Sequence, residues 1–169
     1  MEQAADTGWF FGLLEWIEST GLSETIRSSI TWFPILETTH VLAIVFVLGS
    51  IARVDLRLLG VMSRDQPISR ISGEMLPYTW AAFAVALVTG SLLFTAHAVK
   101  YVETIYFILK MLMILAAGVN MLYFEFVTQK TIANWDNNPS PPAEVRFAGG
   151  LSLVLWLGVV TTGRYIGFI

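Results

Sequence analysis

The chain has no cysteine, which removes disulfides, thiolate metal sites, iron–sulfur clusters, cysteine nucleophiles and covalent C-x-x-C-H haem attachment. Any metal or haem must be held by histidine, carboxylate, methionine or another non-thiol ligand. Charge is also scarce: 14% of residues are charged against 55% hydrophobic, outside the usual range of soluble globular domains. The basic residues are scattered and the net charge is −3, so there is no basic stripe and no nucleic-acid partner is expected. No G-x-S-x-G, P-loop or dinucleotide fingerprint is present, and soluble-enzyme chemistry is unsupported. The opening stretch MEQAADTGWFFGLLEWIEST carries no basic residue, so no cleavable secretory signal is expected.

What the chain has instead is long apolar runs edged by charge, the pattern a bilayer enforces on a backbone that must satisfy itself internally. Crossing a hydrocarbon core takes about 20 helical residues. Four runs qualify, near 32–51, 77–99, 105–127 and 147–165. Before them, Trp9, Leu13, Trp16 and Ile17 recur at helical spacing, which predicts an amphipathic helix over about 9–27, lying in the interface with its tryptophans at headgroup level. The expected fold is therefore an all-α membrane protein: one integral membrane domain over 1–169, a four-transmembrane-helix bundle with an N-terminal interfacial helix.

Arg53, Arg57, Arg64 and Arg70 lie in or beside the first connection, with Lys130 and Arg146 at the third. By the positive-inside rule these connections face the cytoplasm, and both termini are predicted to be periplasmic, in a bacterial inner membrane. The third connection, NWDNNPSPPAE, reads as turn-rich and irregular. Spans two and three, joined through KYVET, should form an antiparallel hairpin.

Ionisable groups inside a span cost several kcal/mol, of order 3 or more, unless they find partners, so each is a functional candidate. His40 in span one and His97 near the outer end of span two are the two histidines, and both are expected in the outer half. Two imidazoles on facing helices could hold one b-type haem. Gly90, seven residues before His97, would let a flat macrocycle approach; Arg27, Lys100, Arg164 and Tyr101 are the donors available for its propionates. The competing reading of His97 is a hydrogen bond to a neighbouring helix or snorkelling to the headgroups. Glu37 stands one turn before His40 as E-x-x-H. It could orient the site, transfer protons, or join His40 and His97 around a single metal ion such as copper. Lys110 in span three is the natural ion-pair partner for Glu37, either fixing helix register or relaying protons. Asn120 is expected to bond across helices, and Glu125 to reach the interface. Arg53, Asp55 and Arg57 read as interfacial anchors with a local ion pair rather than as a quinone or anion site. Gly149, Gly150, Ser152 and Gly158 offer small surfaces for close helix contact, within the bundle or in a homo-oligomer.

On WFPILETTHVLAIVFVLGSIARVDLRLLG the chain resembles a family of small uncharacterised bacterial inner-membrane proteins with a W-F-P-x-x-E-x-x-H opening and a D-L-R-L-L-G close. A histidine early in one span and a lysine in a later one are similar, more distantly, to the HemJ-type protoporphyrinogen oxidases and the CopD-type copper-resistance membrane domain. The first resemblance implies haem b and membrane redox chemistry, with His40 and Lys110 as the matching positions; the second implies copper handling. The leading expectation is a haem b membrane protein for electron transfer, with a quinone or a periplasmic redox or metal protein as partner. The alternatives are a mononuclear copper site and a non-catalytic subunit of a membrane complex.

Overall fold

A computed structural model of the chain describes residues 2–124, 126 and 129–168, apart from the side chains of 2–7 and 129. The far end of the predicted third span and Glu125 lie outside the described residues. The elements in chain order are α1 (Glu2–Glu18), α2 (Gly21–Ser28), α3 (Trp32–Leu58), α4 (Ile68–Ala96), α5 (Ala98–Glu103), α6 (Ile105–Tyr123) and α7 (Ala143–Ile166), with a 3-10 turn over Gln129–Asn134 before α7. Among the described residues there is no strand. Helices α3, α4, α6 and α7 are each long and apolar enough to cross a membrane. Their outward faces carry large apolar side chains such as Phe46, Leu115 and Val154, each more than half exposed. A surface of that kind is stable against lipid and costly against water, and the chain is a multi-pass membrane protein.

The predicted interfacial helix is two helices, because the chain breaks at Ser19–Thr20. Thr20 caps α2, its hydroxyl accepting from the Ser23 amide at 3.3 Å. This segment is docked on the bundle by specific bonds: the Ser23 hydroxyl donates to the Thr95 carbonyl at 2.6 Å, and Glu18 accepts from the Val99 amide at 2.9 Å. Trp9 and Trp16 remain on the surface, 63% and 65% exposed, where an interfacial anchor needs them.

Three spans are longer than predicted, and α7, at Ala143–Ile166, exceeds 147–165 by only a few residues. Helix α3 continues past Ile51 to Leu58, and α4 starts at Ile68, well before Pro77, which sits inside it. The early start of α4 depends on a distant cap. Asp136 accepts from the Ser69 amide at 2.8 Å and the Ser69 hydroxyl at 2.6 Å, and its backbone carbonyl accepts from the Ile68 amide at 3.2 Å. Arg57, with no exposed surface, donates to the carbonyls of Gln66, Asp136 and Asn138 at 2.8, 3.3 and 3.2 Å. It forms no ion pair with Asp55 among the described residues, contrary to the anchoring reading. Its guanidinium ties the first and third connections into one cap over a core of Leu58, Ile68, Trp135 and Val145, and the third connection is turn-rich and irregular between Trp135 and Pro142, as expected.

Helix α3 packs along α4, α6 packs along α7, and α3 also meets α7. The α3–α7 approach is close at Gly149, where a Cβ would come within 2.9 Å of the Leu58 Cβ and 3.0 Å of the Asp55 carbonyl. Gly158 lies against Met113 of α6. These small residues serve contacts inside the chain. Asn120 donates to the Ala148 carbonyl at 3.0 Å, the interhelical bond expected of it. Helices α4 and α6 share no extended contact, which leaves a seam between the two helix pairs.

Candidate functional site

The predicted site residues lie at the end of the bundle where α3 begins and α4 stops. His40 of α3 faces α4. Its Nδ1 lies 3.0 Å from Thr89 Oγ1, and Thr89 gives its own proton to the Val85 carbonyl at 2.7 Å, one turn back along α4. With that proton directed to Val85, Thr89 can accept from a His40 Nδ1–H, the tautomer in which Nε2 keeps its lone pair, and the Ala86 carbonyl is a second hydrogen-bond partner of the ring. The adjacent Gly90 makes room for this. A Cβ there would meet His40 Cε1 at 2.8 Å and Nδ1 at 3.3 Å. The notch expected to admit a macrocycle is thus filled by the imidazole itself.

Lys110 of α6 is close enough to act electrostatically on His40 and lies across α7 at Gly163, where a Cβ would stand 3.5 Å from its Nζ. The structure therefore brings His40 and Lys110 within electrostatic reach of each other. It does not pair Lys110 with Glu37. Glu37 is exposed, and its charge is felt instead by Tyr101, whose phenol is raised above its ordinary value first by burial and then by this carboxylate.

His97 is displaced from His40. It forms the joint between α4 and α5, with its ring edge-on to Phe33 and Tyr101 at 6.0 Å each. Phe33 precedes His40 by seven residues on α3, and Gly90 precedes His97 by seven on α4. Along both antiparallel helices the two histidines are thus about 10 Å apart in depth, two helical turns. Separated by two turns, His40 and His97 are not brought together as the pair expected to hold one haem. The three-ligand metal site fails as well: among the described residues, no three histidine, aspartate or glutamate side chains come together to hold a metal ion. Glu37 and His97 both neighbour Tyr101, whereas His40 turns to Thr89.

The cations expected to hold propionates divide. Lys100 and Arg27 gather with Glu18 around His97; burial lowers the His97 imidazole below its ordinary value, Glu18 opposes this, and the two cations add to it. Arg27 also pairs with Glu24 one turn away. Arg164 turns to Phe168, its guanidinium carbon 4.3 Å from the ring centroid. An aromatic chain missed in the sequence links this end: Phe94 and Tyr101 both stack on Phe107, at 5.4 and 6.0 Å. Its members come from three helices, α4, α5 and α6, with no shared periodicity to mark them.

The other end holds a feature that sequence reasoning passed over, a cavity of about 260 Å³ between α3, α4, α6 and α7. Asp55 and Ser72 line it, and the Asp55 Oδ2 and Ser72 Oγ atoms are buried without a hydrogen-bond partner. The only sequence signal was an acidic residue placed between two arginines.

The chain belongs to a family of unknown function, DUF6644, whose sequence profile matches residues 13–169. No curated protein and no solved structure matches it.

Proposed function

We propose that the chain is a membrane redox protein holding one b-type haem through a single protein ligand, His40. The observation that carries this reading is the Nδ1 contact with Thr89, which orients the imidazole and, with the proton on Nδ1, turns Nε2 into the nitrogen that would bind iron. Ligand histidines are oriented this way, by a second partner on the other ring nitrogen. Haem b supplies one-electron chemistry. Lys110, at the same level on α6, is a base placed to give or take a proton beside the imidazole and to bias the charge of the site. His97 sits among Lys100, Arg27 and Glu18, with Arg27 also paired to Glu24, a setting of mixed charge in which it has no assigned part in holding iron.

The test is the oxidised and dithionite-reduced spectrum of protein purified after haem-replete expression. On this reading the wild type shows a Soret band, His40→Ala loses it and His97→Ala keeps it. A colourless wild type, or equal haem content in His40→Ala, overturns the reading and leaves a non-catalytic subunit as the alternative to pursue.

A further inference from the structure

The cavity at the opposite end has an unusual balance of polar groups. Its hydroxyls and amide are mostly committed: Thr79 donates within hydrogen-bond reach of both Ser50 Oγ at 2.8 Å and the Met75 carbonyl at 3.0 Å, and Asn120 donates to Ala148. Helical threonines elsewhere, Thr89 and Thr95 among them, likewise return their protons to carbonyls of their own helix. Ser72 does not. It is 8% exposed, and its hydroxyl has no partner. Asp55 is 4% exposed, and one carboxyl oxygen is equally free. Buried polar groups are ordinarily paired, and leaving them unpaired is costly, more so for a charge.

No cation of the chain answers Asp55 among the described residues. Of the two arginines nearest in sequence, Arg57 directs its guanidinium to carbonyls of the two connections, and Arg53 forms no ion pair with Asp55. The rest of the wall is largely apolar and aromatic: Trp80 and Phe83 meet edge-to-face at 6.1 Å, and Phe83 and Trp156 at 6.4 Å. A cavity of about 150 Å³ suffices for benzene. At about 260 Å³ this one admits a ring with substituents. Helices α4 and α6 both line it yet share no extended contact, so the cavity gives onto the lipid along their seam.

We infer that this cavity is a binding site for a lipophilic ammonium compound entering from the bilayer, its N–H groups donating to Asp55 and Ser72 and its apolar body lying among Trp80, Phe83 and Trp156. A cation supplies the charge that Asp55 lacks, an ammonium has donors for both free oxygens, and aromatic walls favour a cation over a neutral ring. The inference is independent of haem binding, which concerns the other end of the bundle.

Equilibrium dialysis of the full chain in lipid nanodiscs tests it, with 4-butylbenzylamine as probe and 4-butylbenzyl alcohol as its neutral counterpart, each corrected for partition into empty nanodiscs. The amine is expected to bind saturably and at least tenfold more tightly than the alcohol. Asp55→Asn should weaken amine binding by at least tenfold and Ser72→Ala severalfold, while Glu74→Gln, on the exposed Arg70 pair, leaves it unchanged. Equal binding of amine and alcohol to the wild type, partition without saturation, or full amine affinity in Asp55→Asn would each overturn the proposal. The amine-to-alcohol comparison decides the matter even if Asp55→Asn does not fold.

Discussion

Gly90 and His40 are in direct apposition: the space where a Cβ would stand on α4 is taken by the imidazole of α3, with 2.8 Å left to Cε1. Gly90→Ala therefore forces the imidazole away from Thr89, and overpacking of this kind costs about 1–3 kcal/mol. Gly73→Ala and Gly118→Ala, whose Cβ would meet nothing within 4 Å, are the controls. They should be neutral or stabilising by about 0.5–1 kcal/mol, because alanine is the better helix former. Unfolding by SDS titration in mixed micelles separates the cases, and equal midpoints for Gly90→Ala and Gly118→Ala would contradict the packing.

Thr89 tests the other half of that relationship. Thr89→Val keeps the shape but removes the Thr89 partner of the half-buried His40 ring and leaves it the Ala86 carbonyl, a loss of about 1 kcal/mol. Thr89→Ser should restore most of it. If His40 is the haem ligand, Thr89→Val also weakens haem retention about tenfold or more, the usual effect of removing the group that orients a ligand. Haem loss to apomyoglobin, followed at the Soret band, measures this. Unchanged retention alongside lowered stability would assign Thr89 to packing alone.

Acid should weaken the histidine end through His97. Its imidazole is held below its ordinary value by burial, with Glu18 opposing and Lys100 and Arg27 adding to the effect. The folded chain thus binds the proton less readily than the unfolded one. The stability this group contributes is complete above the unfolded value, about 6.5, and is lost as pH falls through that value toward the lower folded one. Glu18→Gln removes the opposing charge and should lower the folded value further. Titration of ring-labelled histidine by NMR checks the sign; a His97 value at or above that of a free histidine would refute the burial described.

Much of this architecture was legible in the chain because a bilayer leaves few choices: four apolar runs with charges at their ends can form only crossing helices. The ends of α3 and α4 were not, because what extends them is remote. Ile68–Leu76 is too polar to read as the start of a span, and the carboxylate that caps it belongs to Asp136, far along the chain. The polar residues of the candidate site were visible one by one, but their pairing was not. Glu37 and Lys110 match in depth and sign, yet Glu37 faces outward near Tyr101, and rotation about a helix axis is set by packing that a single span does not reveal. The two histidines shared a predicted half of the membrane. Depth counted from estimated span ends carried too much error to separate them by two turns, and the α4 break at His97 had no sequence signal that we can identify.

The cap built on Arg57 yields the largest expected effect. Its buried guanidinium serves three carbonyls from two connections, and one of them belongs to Asp136, whose carboxylate in turn caps α4. Arg57→Leu leaves those carbonyls unserved in a buried setting and should cost roughly 3–5 kcal/mol, the range for breaking a buried charged network. Arg57→Lys should recover little, since one ammonium on a flexible stem does not reproduce the fork geometry of a guanidinium. Asp136 adds a pH dependence of definite sign. Burial alone would raise its carboxyl, but the Ser69 hydroxyl and amide, with Arg57 nearby, outweigh this and hold it below the ordinary range. Its contribution is present above the unfolded value of about 3.9 and lost as pH falls through the lower folded value. Limited proteolysis of the first and third connections in nanodiscs reads both effects. Arg57→Leu and strongly acidic buffer should each expose these segments to cleavage while the crossing helices stay protected, and undiminished resistance in Arg57→Leu would show that the connections hold together without it.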